Sequence, residues 1–181
     1  MHVLPKKPRR FTPAQGATIC ALGLVVGLGA WQVALVVQPL LLQLLLFVFA
    51  WFALWFFPHD LAHHIVGKIV GIRFQYYYLG KSPIRKLKLP LVSQVMGMLP
   101  VLGLKIDKGS LANVSSRARK WMHASGVIAS MTLPWIIVPS SLTVKPYWVG
   151  IFITLLVSVY VLFTIYFSFK TSDLYRARTS G

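Results

Sequence analysis

Apolar positions along this chain come in long uncharged blocks separated by short basic stretches. From Ala17 to Phe57 there is no charged residue, about twice the roughly 20 residues that one helix needs to span the hydrocarbon of a bilayer. The block therefore predicts two spans. Gln38-Pro39 is its one polar and helix-breaking pair near the middle, and proline disfavours helix in the residue before it. The expectation is a tight hairpin there, between helices near 17–37 and 40–71. The second helix contains Pro58, which removes one backbone donor and is expected to kink or open the helix beside His59. Gly23 and Gly27, and Gly67 and Gly71, have the small-xxx-small spacing that lets helices approach closely in lipid.

Residues 72–120 read differently. Ile72 to Pro90 mixes aromatic, β-branched and basic residues, too charged to cross and too aromatic for a plain loop, and suggests an interfacial β-like hairpin. Leu91 to Leu104 is apolar but short and interrupted by Gly97, Pro100 and Gly103, so it reads as re-entrant or interfacial. Two further spans follow, near 122–142 with Pro134 and Pro139 as kinks, and near 147–169, opened by Tyr147 and Trp148 in aromatic-belt positions. The predicted fold class is all-α: a polytopic membrane protein with about four transmembrane helices and a short interfacial β-like or re-entrant segment. Its organisation is a basic N-terminal tail, 1–16, followed by a single membrane domain, 17–181.

Composition agrees. The 181 residues are 56% hydrophobic and 12% charged, where soluble domains carry about a quarter charged residues. The formal net charge of +16 raises the question of nucleic acid, but the cations fall in the loops and no nucleic-acid motif accompanies them. Of the 19 Lys and Arg residues, 18 lie in 1–16, 68–120 and 170–181, and only Lys145 lies outside these segments. Four spans put all three segments on one side, which the positive-inside rule identifies as cytoplasmic, with both termini there. A fifth span at 91–104 would split the charge. The N-terminal Lys6, Lys7, Arg9 and Arg10 before an apolar run have the layout of a signal anchor, and Cys20, within that run, reads as a packing residue.

With three acidic residues and five histidines in the chain, each one near lipid is informative, because ionisable groups in the membrane are costly. His59, Asp60, His63 and His64 cluster near the end of the second span. His59 and His63, four apart, share a helix face, the arrangement by which two imidazoles grip one metal ion. The pattern H-D-x-x-H is the zincin motif H-E-x-x-H with Asp for Glu; in that scheme the histidines hold zinc and the carboxylate takes a proton from water. Asp107 lies in a basic loop and reads as solvated.

The stretch HDLAHHIVGKIVGIRFQYYYLGKSPI, His59 to Ile84, resembles the first active-site segment of the site-2 protease family of intramembrane metalloproteases. His59, Asp60 and His63 match the metal motif, Gly71 the glycine before a β-like stretch, and Gly80 and Pro83 the family's G-x-x-P. HASGVIASMTLPWII, from His123, resembles the family's A-G-P-x-A-N segment, with Val127 for Pro and Ser130 or Met131 where Asn is expected. The likeness covers about residues 50–140. It implies a zinc-dependent intramembrane endopeptidase with Asp60 as general base and a third, aspartate ligand from late in the chain. The family's L-D-G motif is absent; Asp173 stands at the corresponding place, with His64 and His123 as alternatives. The implied partners are the lipid bilayer and a membrane-protein substrate, or, for a non-catalytic descendant, a larger membrane complex. A haem-binding bundle using these histidines is the third class.

Overall fold

The structure is a computed structural model that describes residues 9–81, 100–171 and 173–179. Four stretches within these residues are helical, long and apolar enough to cross a membrane: Pro13–Val36, Leu40–Ile69, Ser116–Ser141 and Trp148–Arg176.

Helix α1, Pro13–Val36, begins four residues before the expected 17. Thr12 caps it, its side chain accepting from the Gln15 amide while the Gln15 side chain accepts from the Thr12 amide, with Pro13 in the first turn. The expected hairpin follows: α1 ends at Val36 and α2, Leu40–Ile69, starts after Pro39. The Gln43 side chain closes it by donating to the Ala34 carbonyl at 3.0 Å, which satisfies a helix-end acceptor where water is scarce. The two helices approach closely, since a Cβ on Gly27 would overlap that of Ala53 and one on Gly23 would overlap the Phe57 ring. Helix α2 runs on through Pro58 without a break.

It stops two residues short of the expected 71, in a Schellman motif. The Ile72 amide donates to Gly67 O at 2.8 Å and the Gly71 amide to Lys68 O at 3.1 Å, and Gly71 takes the left-handed conformation, φ 88°, that this cap requires. The turn delivers Ile72, almost fully buried, and starts strand β2, Phe74–Lys81. The interfacial region is a small antiparallel sheet in the order β1-β2-β3, where β1 is Arg10–Phe11 and β3 is Pro100–Ile106. The 100–104 part of the segment expected to be re-entrant is thus a strand, with Tyr78 opposite Gly103 and Tyr77 opposite both Phe11 and Leu104. Pro83 and residues 91–99 lie outside the described residues.

After the short helix α3, Lys108–Ala112, helix α4 runs over Ser116–Thr132, capped by Ser115. It starts six residues before the expected 122. Pro134 and Pro139 do mark an irregularity: a 3-10 stretch, Leu133–Ile137, leads into α5, Val138–Ser141. Helix α6, Trp148–Thr171, returns, and α7, Asp173–Thr179, follows. An apolar core of Phe47, Leu54, Ile137, Val149, Ile153 and Val157 fills the bundle between α2, the α4–α5 segment and α6. A second core under the sheet joins Cys20 of α1 to Tyr77 and Leu102. Cys20 is buried there as a packing residue.

A candidate metal centre

Helix α2 presents Trp55, His59 and His63 at successive intervals of four, and α4 runs antiparallel to it with Ser130, Gly126 and Met122 at the same interval. The ridges meet residue by residue. A Cβ on Gly126 would overlap the His63 imidazole, so the ring occupies space that any larger residue would fill. The His63 Nδ1 lies 2.6 Å from the Met122 carbonyl oxygen, and His59 Nδ1 lies 3.0 Å from Ser130 Oγ. Ser130 in turn donates to the Trp55 carbonyl at 2.9 Å.

These contacts orient the two rings. A carbonyl oxygen only accepts, so His63 donates from Nδ1, which turns its Nε2 the other way. With its own hydrogen on the Trp55 carbonyl, the Ser130 hydroxyl accepts from His59 Nδ1, which turns His59 Nε2 outward as well. Both Nε2 atoms point the same way, and α7 supplies what they meet. Asp173 Oδ2 lies 3.4 Å from His59 Nε2 and 3.6 Å from His63 Nε2. His63 and Asp173 are buried and His59 is partly so; one ligand atom of each falls within 4.8 Å of the others.

Three acceptors converging at such distances require a cation or a proton among them. Two ligands at 2.0–2.1 Å from a tetrahedral ion stand about 3.3 Å apart, close to the two distances from Asp173. His59, His63 and Asp173 can therefore hold a metal ion. Each imidazole also has the outer hydrogen bond from its other nitrogen that ligand histidines characteristically make.

The two alternative ligands fall elsewhere. His64 faces the sheet: its Nδ1 lies 3.0 Å from the Tyr77 hydroxyl, which donates to the Asp60 carbonyl at 3.3 Å. Burial pushes the Tyr77 phenol above its ordinary value, so it stays a donor. His64 thus ties β2 to α2 and lies outside the group of three. His123 lies beside the triad, its Nδ1 4.0 Å from Asp173 Oδ1, but outside the group of three. Asp107 accepts from the Ser110 amide at 3.3 Å, capping α3 far from the triad.

The triad opens on a cavity of about 300 Å³ between α2, α4, α7 and the sheet, lined among others by Asp60, Tyr78, Leu102 and His123. Asp60 is 7% exposed, and its carboxylate has no hydrogen-bond partner among the described residues. Of Ser130 and Met131, it is Ser130 that reaches the site. A small residue at that position is the sequence signal for it; the Met122 carbonyl, a backbone group, leaves no signal.

Comparison of this chain with known protein families, with curated proteins and with solved structures gave no match.

Proposed function

We propose that this chain is a multi-pass membrane metallohydrolase that cleaves peptide bonds of membrane-embedded segments, in the manner of the site-2 protease family that its His59–Ile84 segment resembles. One observation carries the reading: two histidine Nε2 atoms and a carboxylate oxygen converge at the wall of a cavity that is also lined by a second carboxylate, Asp60. A two-histidine, one-carboxylate set with an open side is a catalytic zinc arrangement, and its nitrogen and oxygen donors suit that borderline ion. Neighbouring imidazoles on one helix that converge on a carboxylate are poorly suited to the axial positions of a haem.

Zinc held there supplies Lewis acidity towards a peptide carbonyl and makes water a better nucleophile at neutral pH. The work of the chain's own groups follows. Asp60 takes one proton from the attacking water as its oxygen adds to the carbonyl carbon, then returns that proton to the amine nitrogen as the C–N bond breaks. His59, His63 and Asp173 stay fixed through the Ser130, Met122 and α4 contacts, and the sheet closes the cavity over the reacting bond. The concentration of Lys and Arg in 1–16, 68–120 and 170–181 supports the reading that this end of the bundle, with both termini, is at the cytoplasmic face. The partners are the bilayer and a single-span or multi-span protein substrate.

Asp60 favours a second reading. Aspartate is one methylene shorter than glutamate, a retreat of about 1.5 Å, and a misplacement of about 1 Å can cost roughly a hundredfold in rate. A metal-holding subunit of a larger membrane complex that no longer hydrolyses would tolerate this.

Metal analysis and a cleavage assay separate the two. Purified in detergent, the wild type should carry one zinc per chain, lost in His59→Ala and in Asp173→Ala. Asp60→Ala should keep zinc and lose cleavage of a co-expressed single-span substrate. Zinc retained in full by His59→Ala would sink the metal site. A zinc-loaded wild type that cuts no substrate, and stays inactive as Asp60→Glu, would establish the subunit reading in place of the protease.

A further inference from the structure

His123 is a buried polar group that the triad does not use. It is carried by α4 one residue after Met122, whose carbonyl is already engaged by His63, and its side chain is 9% exposed. Its Nδ1 lies 4.0 Å from Asp173 Oδ1, beyond hydrogen-bond range. Among the described residues its ring makes no hydrogen bond. The ring nonetheless lines the cavity, whose wall on the sheet side is apolar, with Phe74, Val101 and Leu102 among its residues. An imidazole that makes no hydrogen bond within the protein and stands at the wall of a cavity has its donor and acceptor capacity open to what the cavity binds.

The position says what that is. The two oxygens of Asp173 face opposite ways: Oδ2 faces the two Nε2 atoms, and Oδ1 faces His123 and, at 3.8 Å, Arg176. His123 therefore stands on the other side of the Asp173 carboxylate from His59 and His63, outside the group of three and beside the space that a group held by them would occupy. In peptide hydrolysis the carbonyl oxygen gains negative charge as water adds, and a donor already aimed at it is worth most in a site closed to bulk water.

We propose that His123 is a catalytic residue that donates a ring N–H to the oxygen of the scissile peptide carbonyl, stabilising the charge that develops there. The proposal rests on the hydrolase reading above. A neutral imidazole has the required N–H, so the role does not depend on its charge.

The test uses cobalt in place of zinc, so that loading is read from the visible spectrum, and a phosphinic peptide whose anionic oxygens imitate the tetrahedral carbonyl. In the full-length protein in detergent, His123→Leu should load cobalt with the affinity and spectrum of the wild type. It should bind the phosphinic peptide about 100-fold more weakly, the usual effect of losing one such donor. His123→Gln, which keeps an amide donor, should recover part of that loss, and it stands in if the leucine variant fails to fold. Altered cobalt affinity or spectrum in His123→Gln would make the residue a ligand and overturn the proposal. Unchanged phosphinic-peptide binding in a cobalt-loaded variant would overturn it too. A wild type that takes up no cobalt would remove the metal centre and this proposal together. One that loads normally and binds the phosphinic peptide no better than His123→Leu does would remove only the role of His123.

Discussion

Helix α2 has two close neighbours, and it meets them by the same device with opposite results. Towards α1, Gly23 and Gly27 admit the Phe57 ring and the Ala53 methyl, and the contact at these glycines is apolar. Towards α4, Gly126 admits the His63 ring, and Ser130 and the Met122 carbonyl take up the Nδ1 atoms of His59 and His63. Small residues shorten the distance between axes in both contacts. In the first, proximity yields dispersion contacts, the available stabilisation between helices in lipid. In the second, proximity brings an imidazole within reach of a backbone carbonyl, so the packing geometry also determines which way the ring turns its Nε2. A cluster that can hold a metal ion thus needs little beyond ordinary helix packing here, with small facing residues and a partner carbonyl that accepts.

Matched substitutions should break this comparison. The largest difference is expected between Gly126→Val and Gly27→Val. Both overfill a tight contact and should cost about 1–3 kcal/mol of stability, read as a lower midpoint of thermal unfolding in detergent. Gly126→Val should also displace His63 and lower metal affinity by at least the roughly 100-fold attached to disturbed outer contacts, whereas Gly27→Val should bind metal as the wild type does. Equal metal affinity in the two variants would refute the link between packing and coordination.

A smaller effect is expected of Ser130→Ala. It leaves the packing intact but removes the acceptor that orients His59, so metal affinity should fall about 10- to 100-fold, with Ser130→Thr restoring much of it. The smallest is expected of Tyr77→Phe. Losing the hydroxyl that joins His64 to the Asp60 carbonyl should cost about 1 kcal/mol of stability and leave metal stoichiometry untouched, which a parallel unfolding and metal-analysis experiment reads directly. Loss of metal from Tyr77→Phe would place the sheet within the coordination machinery.

The four spans, the turn at Gln38-Pro39 and the pairing of His59 with His63 were legible in the sequence, because each depends on local regularities: the length of an apolar run, a helix breaker, an interval of four on one helix face. The ends of the spans were less so. Helix α4 starts at Ser116, six residues before its apolar part, because Arg and Lys are good helix formers and Ser115 caps them; hydropathy marks where lipid begins, not where helix begins. The pairing of Arg10–Phe11 with Tyr77–Tyr78 and of β2 with β3 across the intervening chain left no local trace, since strand partners are chosen by what packs beneath them, here Cys20 and Leu102.

The same division runs through the site. Sequence alone determined that a histidine pair and a carboxylate share one helix near the end of a membrane span, and that Asp173 stood among three candidates for the remaining ligand. Only the tertiary structure set the three apart in space: it turned His64 to the sheet, set His123 beside the triad and brought Asp173 to within 3.6 Å of both Nε2 atoms. The reason is physical. A ligand set is defined by a convergence of a few ångströms between side chains more than a hundred residues apart in the chain, and that convergence depends on how closely α4 and α7 pack on α2, which no local pattern encodes.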